Sequence, residues 1–193
     1  MFIVIEGLDG VGKSTISAAL AEALNTELLS TPGDKFRNVR NELDDIFRDN
    51  HQARQLFYTS TVVSIAEDIR QLIKDGKSVV VDRYWLSTQV YHHWKSEGNH
   101  FELLELKKSL LKPDVTIYLE LSLAQRENRL IERNDSNSED NLTLSEKADD
   151  ELRQLYSDYS IDEVTGCFLS VDANKNVNEL VLHICKLLKE FKK

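Results

Sequence analysis

Apolar and polar positions alternate between two periods along this chain. Five short apolar runs, 2–6 (FIVIE), 27–31 (ELLST), 78–82 (SVVVD), 115–120 (VTIYLE) and 167–172 (CFLSVD), read as β-strands. Three of them are nearly continuous in apolar or β-branched residues, the pattern of strands covered on both faces. Between them, residues 13–25, 36–48, 51–75, 86–96, 100–110, 122–133, 143–159 and 176–191 carry the helical period. Strands alternating with helices predict an α/β fold, a five-stranded parallel sheet reached by right-handed crossovers and flanked by helices. Pro113 separates a helix from the strand that follows, and Gly76 caps the long helix over 51–75.

One stretch follows neither period. Residues 134–142 (NDSNSEDNL) are polar and acidic, and they follow a helix carrying Arg126, Arg129 and Arg133. Two readings stay open: a solvated surface loop, or a lid that brings arginines over a bound ligand.

The 193 residues suit one domain. With 24 Lys and Arg against 33 Asp and Glu, the net charge is −9. That balance argues against a general nucleic-acid binder and against docking on an anionic membrane. Any polyanion must therefore be met by a small, local positive site. Cys167 and Cys185 lack metal-ligand spacing and read as reduced thiols. The N-terminus reads as a strand rather than a signal segment, and no apolar run is long enough to span a bilayer. The expectation is a cytoplasmic protein without a membrane partner.

The local positive site follows the first strand. Gly7-Leu8-Asp9-Gly10-Val11-Gly12-Lys13-Ser14 fits GxxxxGK[ST] at every constrained position. Glycines let the backbone curl so that its N–H groups converge on phosphate oxygens, and the helix that follows adds its positive N-terminal end. Lys13 can reach the outer phosphates, and Ser14 can ligate Mg²⁺. A P-loop alone fits kinases, GTPases and motors equally. The chain has no NKxD guanine-specificity sequence, and its length and polar stretch suit a small-molecule kinase. At the end of the third strand stands Asp82-Arg83-Tyr84. The carboxyl ends of parallel strands face the ligand crevice, so Asp82 would emerge beside the P-loop to hold Mg²⁺ or its waters, and Arg83 would face phosphates.

Four segments, FIVIEGLDGVGKST, VVVDRYWLSTQVY, KPDVTIYLELSLAQRENRLIER and LSVDANKN, make nearly the whole chain resemble the thymidylate kinase-like nucleoside monophosphate kinases. DRYWLST with LLKPD downstream looks most similar to the branch containing the thymidylate-kinase-like mitochondrial UMP–CMP kinase. The resemblance implies a P-loop NTPase fold of the nucleoside monophosphate kinase type. It also implies transfer of the ATP γ-phosphoryl group to a nucleoside 5′-monophosphate, with Mg²⁺, and a homodimer. By the same resemblance, Gly7, Asp9, Gly10, Val11, Gly12, Lys13, Ser14 and Thr15 cradle the donor, and Asp9 also approaches the acceptor. Arg83 bridges the two sets of phosphates, with Ser14 and Asp82 as metal ligands. Phe57 takes the place of the family's base-stacking aromatic, although core packing on a long helix explains it almost as well. Thr88 matches a position at the base edge. Tyr91 matches one against the sugar, where its ring could crowd a 2′-hydroxyl. For both, an ordinary helix face is an equal alternative. Gly10 is not basic, and family members without a P-loop arginine supply arginines from the lid. Arg126, Arg129 and Arg133 share one helix face here. Val171 to Lys175, with Ala173 and Lys175, matches the loop whose backbone contacts adenine.

Two departures bear on the acceptor. The loop after the second strand (Leu29-Ser30-Thr31-Pro32-Gly33) lacks the arginine that grips the acceptor phosphate in many thymidylate kinases, so Arg40 or Arg54 would substitute. The arginine that reads the thymine carbonyl would fall near Thr61 and is absent. A site that loses a base-reading donor discriminates less, which leaves dTMP first and UMP, CMP and dCMP open. The expected organisation is one kinase domain over 1–193, with a lid near 126–145 and an acceptor region near 32–75. The alternatives are a deoxynucleoside kinase acting on a 5′-hydroxyl and a non-catalytic ATP-binding switch.

Overall fold

The computed structural model of the protein describes residues 1–133 and 142–191, with the side chain of Arg133 excepted. Five strands form one parallel sheet in the order β2-β3-β1-β4-β5. They are β1 (Phe2–Gly7), β2 (Glu27–Ser30), β3 (Val79–Asp82), β4 (Val115–Glu120) and β5 (Cys167–Asp172). The expected α/β architecture is therefore the observed one.

Every residue of β1 is buried, as its continuous apolar run requires of a central strand. Side chains alternate across the sheet. Ile3 and Ile5 join Val80 and Ile117 in a core under α1 (Lys13–Leu24) and the C-terminal helix α8 (Val177–Phe191). Phe2 and Val4 join Val79 and Val81 in a second core on the opposite face. That face is covered by α3 (His51–Lys74) through Val62, Ile65, Ala66 and Ile69. Asn50 opens α3 by accepting from the Ala53 N–H at 3.0 Å, a side-chain cap.

Among the described residues, five further helices complete the fold. They are α2 (Arg37–Ile46), α4 (Trp85–Lys95), α5 (Leu104–Ser109), α6 (Leu123–Arg133) and α7 (Glu146–Ser160). Two expected helices are shorter than their periodicity suggested. A 3-10 turn at Asp34–Phe36 precedes α2, and α5 begins only after Leu103, whose φ of 37° is left-handed. α7 starts where Ser145 accepts from the Ala148 N–H at 3.1 Å. Residues 134–141 of the expected lid near 126–145 lie outside the described residues. No helix among the described residues is long and apolar enough to cross a membrane.

Register brings the strand ends level. Ile5 pairs with Asp82, Ser30 also pairs with Asp82, and Gly7 pairs with Leu119. From β1 the chain passes to one edge of the sheet and later crosses to β4 on the other side of β1. The crevice at such a reversal is where open α/β sheets bind ligands.

Candidate active site

The P-loop leaves β1 at Gly7, where a Cβ would stand 2.7 Å from the Leu119 carbonyl oxygen, so no side chain fits. Gly12 opens α1 with a left-handed φ of 94°, which glycine adopts without steric cost. The turn between them faces a cleft of about 470 Å³.

Lys13 is buried against the loop. Its Nζ donates to the Leu8 carbonyl at 2.8 Å and lies 3.7 Å from Asp9 Oδ1. Burial, reinforced by the Arg83 charge, lowers its pKa to about 8 against the pull of Asp9, Asp82 and Glu6. Ser14 Oγ donates to Asp82 Oδ2 at 2.6 Å. The other oxygen, Asp82 Oδ1, is buried with no hydrogen-bond partner among the described residues. A hydroxyl beside a half-satisfied carboxylate is a hard oxygen donor set, which fits Mg²⁺.

Asp9 gathers the opposite charges. Arg83 Nη2 donates to Oδ1, and the Tyr91 hydroxyl donates to Oδ2 at 2.8 Å. Burial alone would push this carboxyl up, but Arg83 and Lys13 outweigh it and hold it well below the usual carboxylate range. The Arg83 guanidinium carbon also lies 5.3 Å from the Tyr91 ring centroid, within cation–π reach. Burial and the Asp9 charge together push the Tyr91 phenol well up, so it stays a donor at neutral pH.

The far end of the cleft is lined by Arg40, Arg54, Tyr58 and His92. Arg54 Nε donates to Asp44 Oδ1 at 2.9 Å, and the Tyr58 hydroxyl donates to Asp44 Oδ2 at 2.8 Å. Arg40 Nε donates to the Tyr58 oxygen at 3.0 Å. One carboxylate of α2 thus fixes two arginines and a tyrosine. Burial and the bond to Asp44 push the Tyr58 phenol up to about 12.

The cleft brings together Asp9, Gly10, Gly12, Lys13, Ser14, Thr15, Arg40, Arg54, Arg83, Thr88 and Tyr91 of the sequence-derived set. Asp82 joins them through Ser14. Val11 packs its side chain into the core. Phe57 differs from its expected place, because it packs edge-on against Phe36 at 6.2 Å and Tyr58 at 5.1 Å, and Tyr58 lines the cleft instead. Arg126 differs more. It is fully buried, with Nε donating to the Asp9 carbonyl at 2.6 Å, Nη1 to Asp149, and Nη2 to Thr143 Oγ1 at 2.9 Å. It braces the P-loop from behind rather than standing free over a ligand. Arg129 donates to Val11 O at 2.8 Å and Ala173 O at 2.9 Å, tying the P-loop to the 171–175 loop. Lys175 is exposed in that loop, away from the cleft lining. Arg133's side chain lies outside the described residues.

Sequence reasoning missed Tyr58, Ser87, His92 and Lys95 in the cleft lining. For two of them a signal existed. Thr88, Tyr91, His92 and Lys95 follow the i, i+3, i+4, i+7 pattern of one helix face.

A P-loop beside a strand-end Asp-Arg pair, with further arginines across one cleft at the sheet's carboxyl edge, defines a P-loop kinase of small nucleotides. The sequence model of the thymidylate kinase family matches residues 5–184, and the chain belongs to that family. It is thus a phosphotransferase acting on nucleotides. It is 27% identical to a probable thymidylate kinase of Archaeoglobus fulgidus over 99% of this chain and 96% of that protein. It is 33% identical to a probable thymidylate kinase of Thermococcus kodakarensis over 69% of this chain and 72% of that one. Among solved structures, thymidylate kinase from Candida albicans shares the fold, with a TM-score of 0.75 at 22% identity over 99% of this chain and 92% of that chain. A deoxyadenosine kinase from M. mycoides shares it with a TM-score of 0.70 at 21% identity over 98% and 100%.

Proposed function

We propose that the protein transfers the γ-phosphoryl group of ATP to a pyrimidine nucleoside 5′-monophosphate, with dTMP first among the acceptors. The observation that carries this is the arrangement of cations along one cleft. Lys13 lies in the P-loop, Arg40 and Arg54 line the opposite end, and Arg83 is bound to the P-loop carboxylate Asp9.

The acceptor is already an oxyanion, so the reaction needs positioning and charge neutralisation rather than a strong base. The P-loop amides and Lys13 hold the donor phosphates. Arg40 and Arg54, pre-oriented by Asp44, hold the acceptor phosphate. Arg83 spans the gap and meets the charge on the transferring group. Ser14 and Asp82 would hold Mg²⁺, which supplies charge neutralisation on the donor phosphates. Arg129 fixes the 171–175 loop against the P-loop and so places an adenine site next to the phosphate cradle. Arg133, in the segment of 126–145 read as a lid, would close the site from outside.

A kinase of 5′-hydroxyls would need a free carboxylate base at the acceptor oxygen. Asp9 is bound to Arg83 and Tyr91, and the 29–33 loop has no carboxylate, so the monophosphate reading is preferred. A non-catalytic switch would not need Arg83, Arg40 and Arg54 along one cleft. By family resemblance the protein forms a homodimer and works in the cytoplasm. The test is ADP formation from MgATP with dTMP, dUMP, UMP, CMP, dCMP and thymidine as acceptors. Turnover with a monophosphate and none with thymidine is expected. Turnover with thymidine alone, or ATP binding without turnover on any acceptor, overturns the reading.

A further inference from the structure

Glu6 is the anomaly of β1, a charged residue in a strand whose every position is buried, itself 0% exposed. A buried carboxylate is costly unless its oxygens are bonded. Those of Glu6 are. Oε1 accepts from the Tyr84 N–H at 3.0 Å and the Ser87 N–H at 3.2 Å, and Oε2 accepts from the Ser87 hydroxyl. Burial pushes this carboxyl up, against the bonds from Ser87 and Tyr84 and the Arg83 charge.

Two of those donors are the first turn of α4. Tyr84 precedes the helix and supplies no side-chain cap of its own. A strand 78 residues earlier in the sequence therefore caps α4 in its place. The capped turn carries Arg83, whose φ of 65° is left-handed and uncommon for a residue with a side chain. The Arg83 N–H is tied to the Ile5 carbonyl at 3.0 Å, and its Nη1 donates to Ser87 Oγ at 3.3 Å. Ser87 Oγ is in turn 3.0 Å from the Tyr156 hydroxyl of α7. Both the backbone and the guanidinium of Arg83 are thus referenced to residues 5 and 6 of β1, directly before the P-loop.

We propose that Glu6 is a positioning residue for Arg83, fixing through the α4 cap and Ser87 where that guanidinium meets the transferring phosphoryl group. The inference rests on the reading of Arg83 as the cation on that group. Glu6 touches no substrate and acts only by holding the Asp82–Ser87 turn against the P-loop.

The experiment compares Glu6→Met, Glu6→Gln, Ser87→Ala and Arg83→Ala, with Glu6→Met also placed on the Arg83→Ala background. Each is measured for kcat, acceptor KM and ATP Kd, with folded fraction from circular dichroism. Misplacement by about an ångström costs on the order of 10²-fold in rate. Glu6→Met, corrected for folded fraction, should lose about 10- to 100-fold in kcat with ATP Kd within about twofold. Glu6→Gln keeps an oxygen for both N–H groups and should retain kcat within about threefold. Ser87→Ala keeps the backbone cap, folds, and should show a smaller kcat loss. On the Arg83→Ala background Glu6→Met should cost nothing further, because the effect runs through Arg83. Unchanged kcat in folded Glu6→Met overturns the proposal. If that variant does not fold, unchanged kcat in Ser87→Ala overturns it instead. Near wild-type turnover in Arg83→Ala overturns the underlying reading of the site, a separate outcome.

Discussion

Arg83 and Asp9 are bonded directly to each other in the cleft lining, the guanidinium donating to one carboxylate oxygen while Tyr91 donates to the other. The pair links the end of β3 to the P-loop, so in the proposed reaction the arginine assigned to the transferring charge would be held by the loop assigned to the donor. An arginine in this role is worth about 10³-fold or more in turnover. Arg83→Ala should therefore lose about 10³-fold or more in kcat while keeping a residual rate that a sensitive assay reads. Asp9 keeps Lys13 and Tyr91 as partners, so the fold should survive, with the far-ultraviolet spectrum unchanged. Steady-state turnover near the wild-type value would refute the assignment.

Lys13 carries a pH signature. Its pKa in the folded protein is lowered to about 8, against 10.5 for an ordinary lysine. Between those values the unfolded chain holds a proton that the folded chain lacks, so this group's contribution to stability rises with pH across that window. Donor phosphates next to Lys13 favour the charged amine. ATP binding above about pH 8 should then take up a proton, and affinity should fall as pH rises. Titration calorimetry in two buffers of different ionisation enthalpy reads the uptake directly. Lys13→Arg, charged at every accessible pH, should show none. Equal binding enthalpies in the two buffers for the wild-type protein would contradict the lowered pKa.

Tyr58 is the residue on which the proposed acceptor end of the cleft converges. Its hydroxyl donates to Asp44 and accepts from Arg40, whose guanidinium carbon lies 5.7 Å from the ring centroid. Tyr58→Phe keeps the ring and removes both bonds. Hydrogen bonds to charged groups are worth about 1.5–3 kcal/mol each. Rearrangement of Arg40 onto Asp44 offsets part of that, so acceptor KM should rise about tenfold with kcat little changed. Phe57→Leu, outside the cleft lining though packed on Tyr58, should leave acceptor KM within about twofold. If the two variants behave the other way round, Phe57 is the stacking ring and the cleft is lined differently once a nucleotide binds.

The contrast between Phe57 and Tyr58 shows where the sequence stops being legible. The P-loop could be read because its constrained residues are contiguous and each has its own backbone or phosphate task. Asp82 and Arg83 could be read because a parallel sheet aligns strand ends. Neighbours on a helix are about 100° apart, so one step along α3 separates a ring facing the cleft from one packed on Phe36. Only the packing of α2 on α3 decides between them. Depth is equally hidden. Arg126 and Arg129 share a helix face by spacing, yet the partners that bury Arg126, Thr143 and Asp149, come from beyond the polar stretch at 134–142. Glu6 could have been noticed as a charge in an apolar run, but its partners lie about 80 residues away.

Arg126 therefore gives the sharpest stability prediction. Its guanidinium is 0% exposed and joins three segments: the Asp9 carbonyl, Thr143 beside the polar stretch, and Asp149 on α7. Removing one member of a buried ion pair costs about 3–5 kcal/mol, because the other charge stays buried. Here Arg153 also bonds Asp149, with Nε at 2.7 Å from Oδ2, which compensates part of the loss. Arg126→Met should destabilise the protein by about 2–4 kcal/mol in urea unfolding. Arg126→Lys should be nearly as damaging, since one ammonium cannot reach partners that the planar fork spans. Arg129 is half-buried, and its two bonds go to backbone carbonyls. Arg129→Met should cost about 1–2 kcal/mol and act mainly on ATP Kd. If Arg126→Met instead left stability unchanged and weakened only nucleotide binding, Arg126 would be a ligand-facing arginine rather than a brace beneath the P-loop.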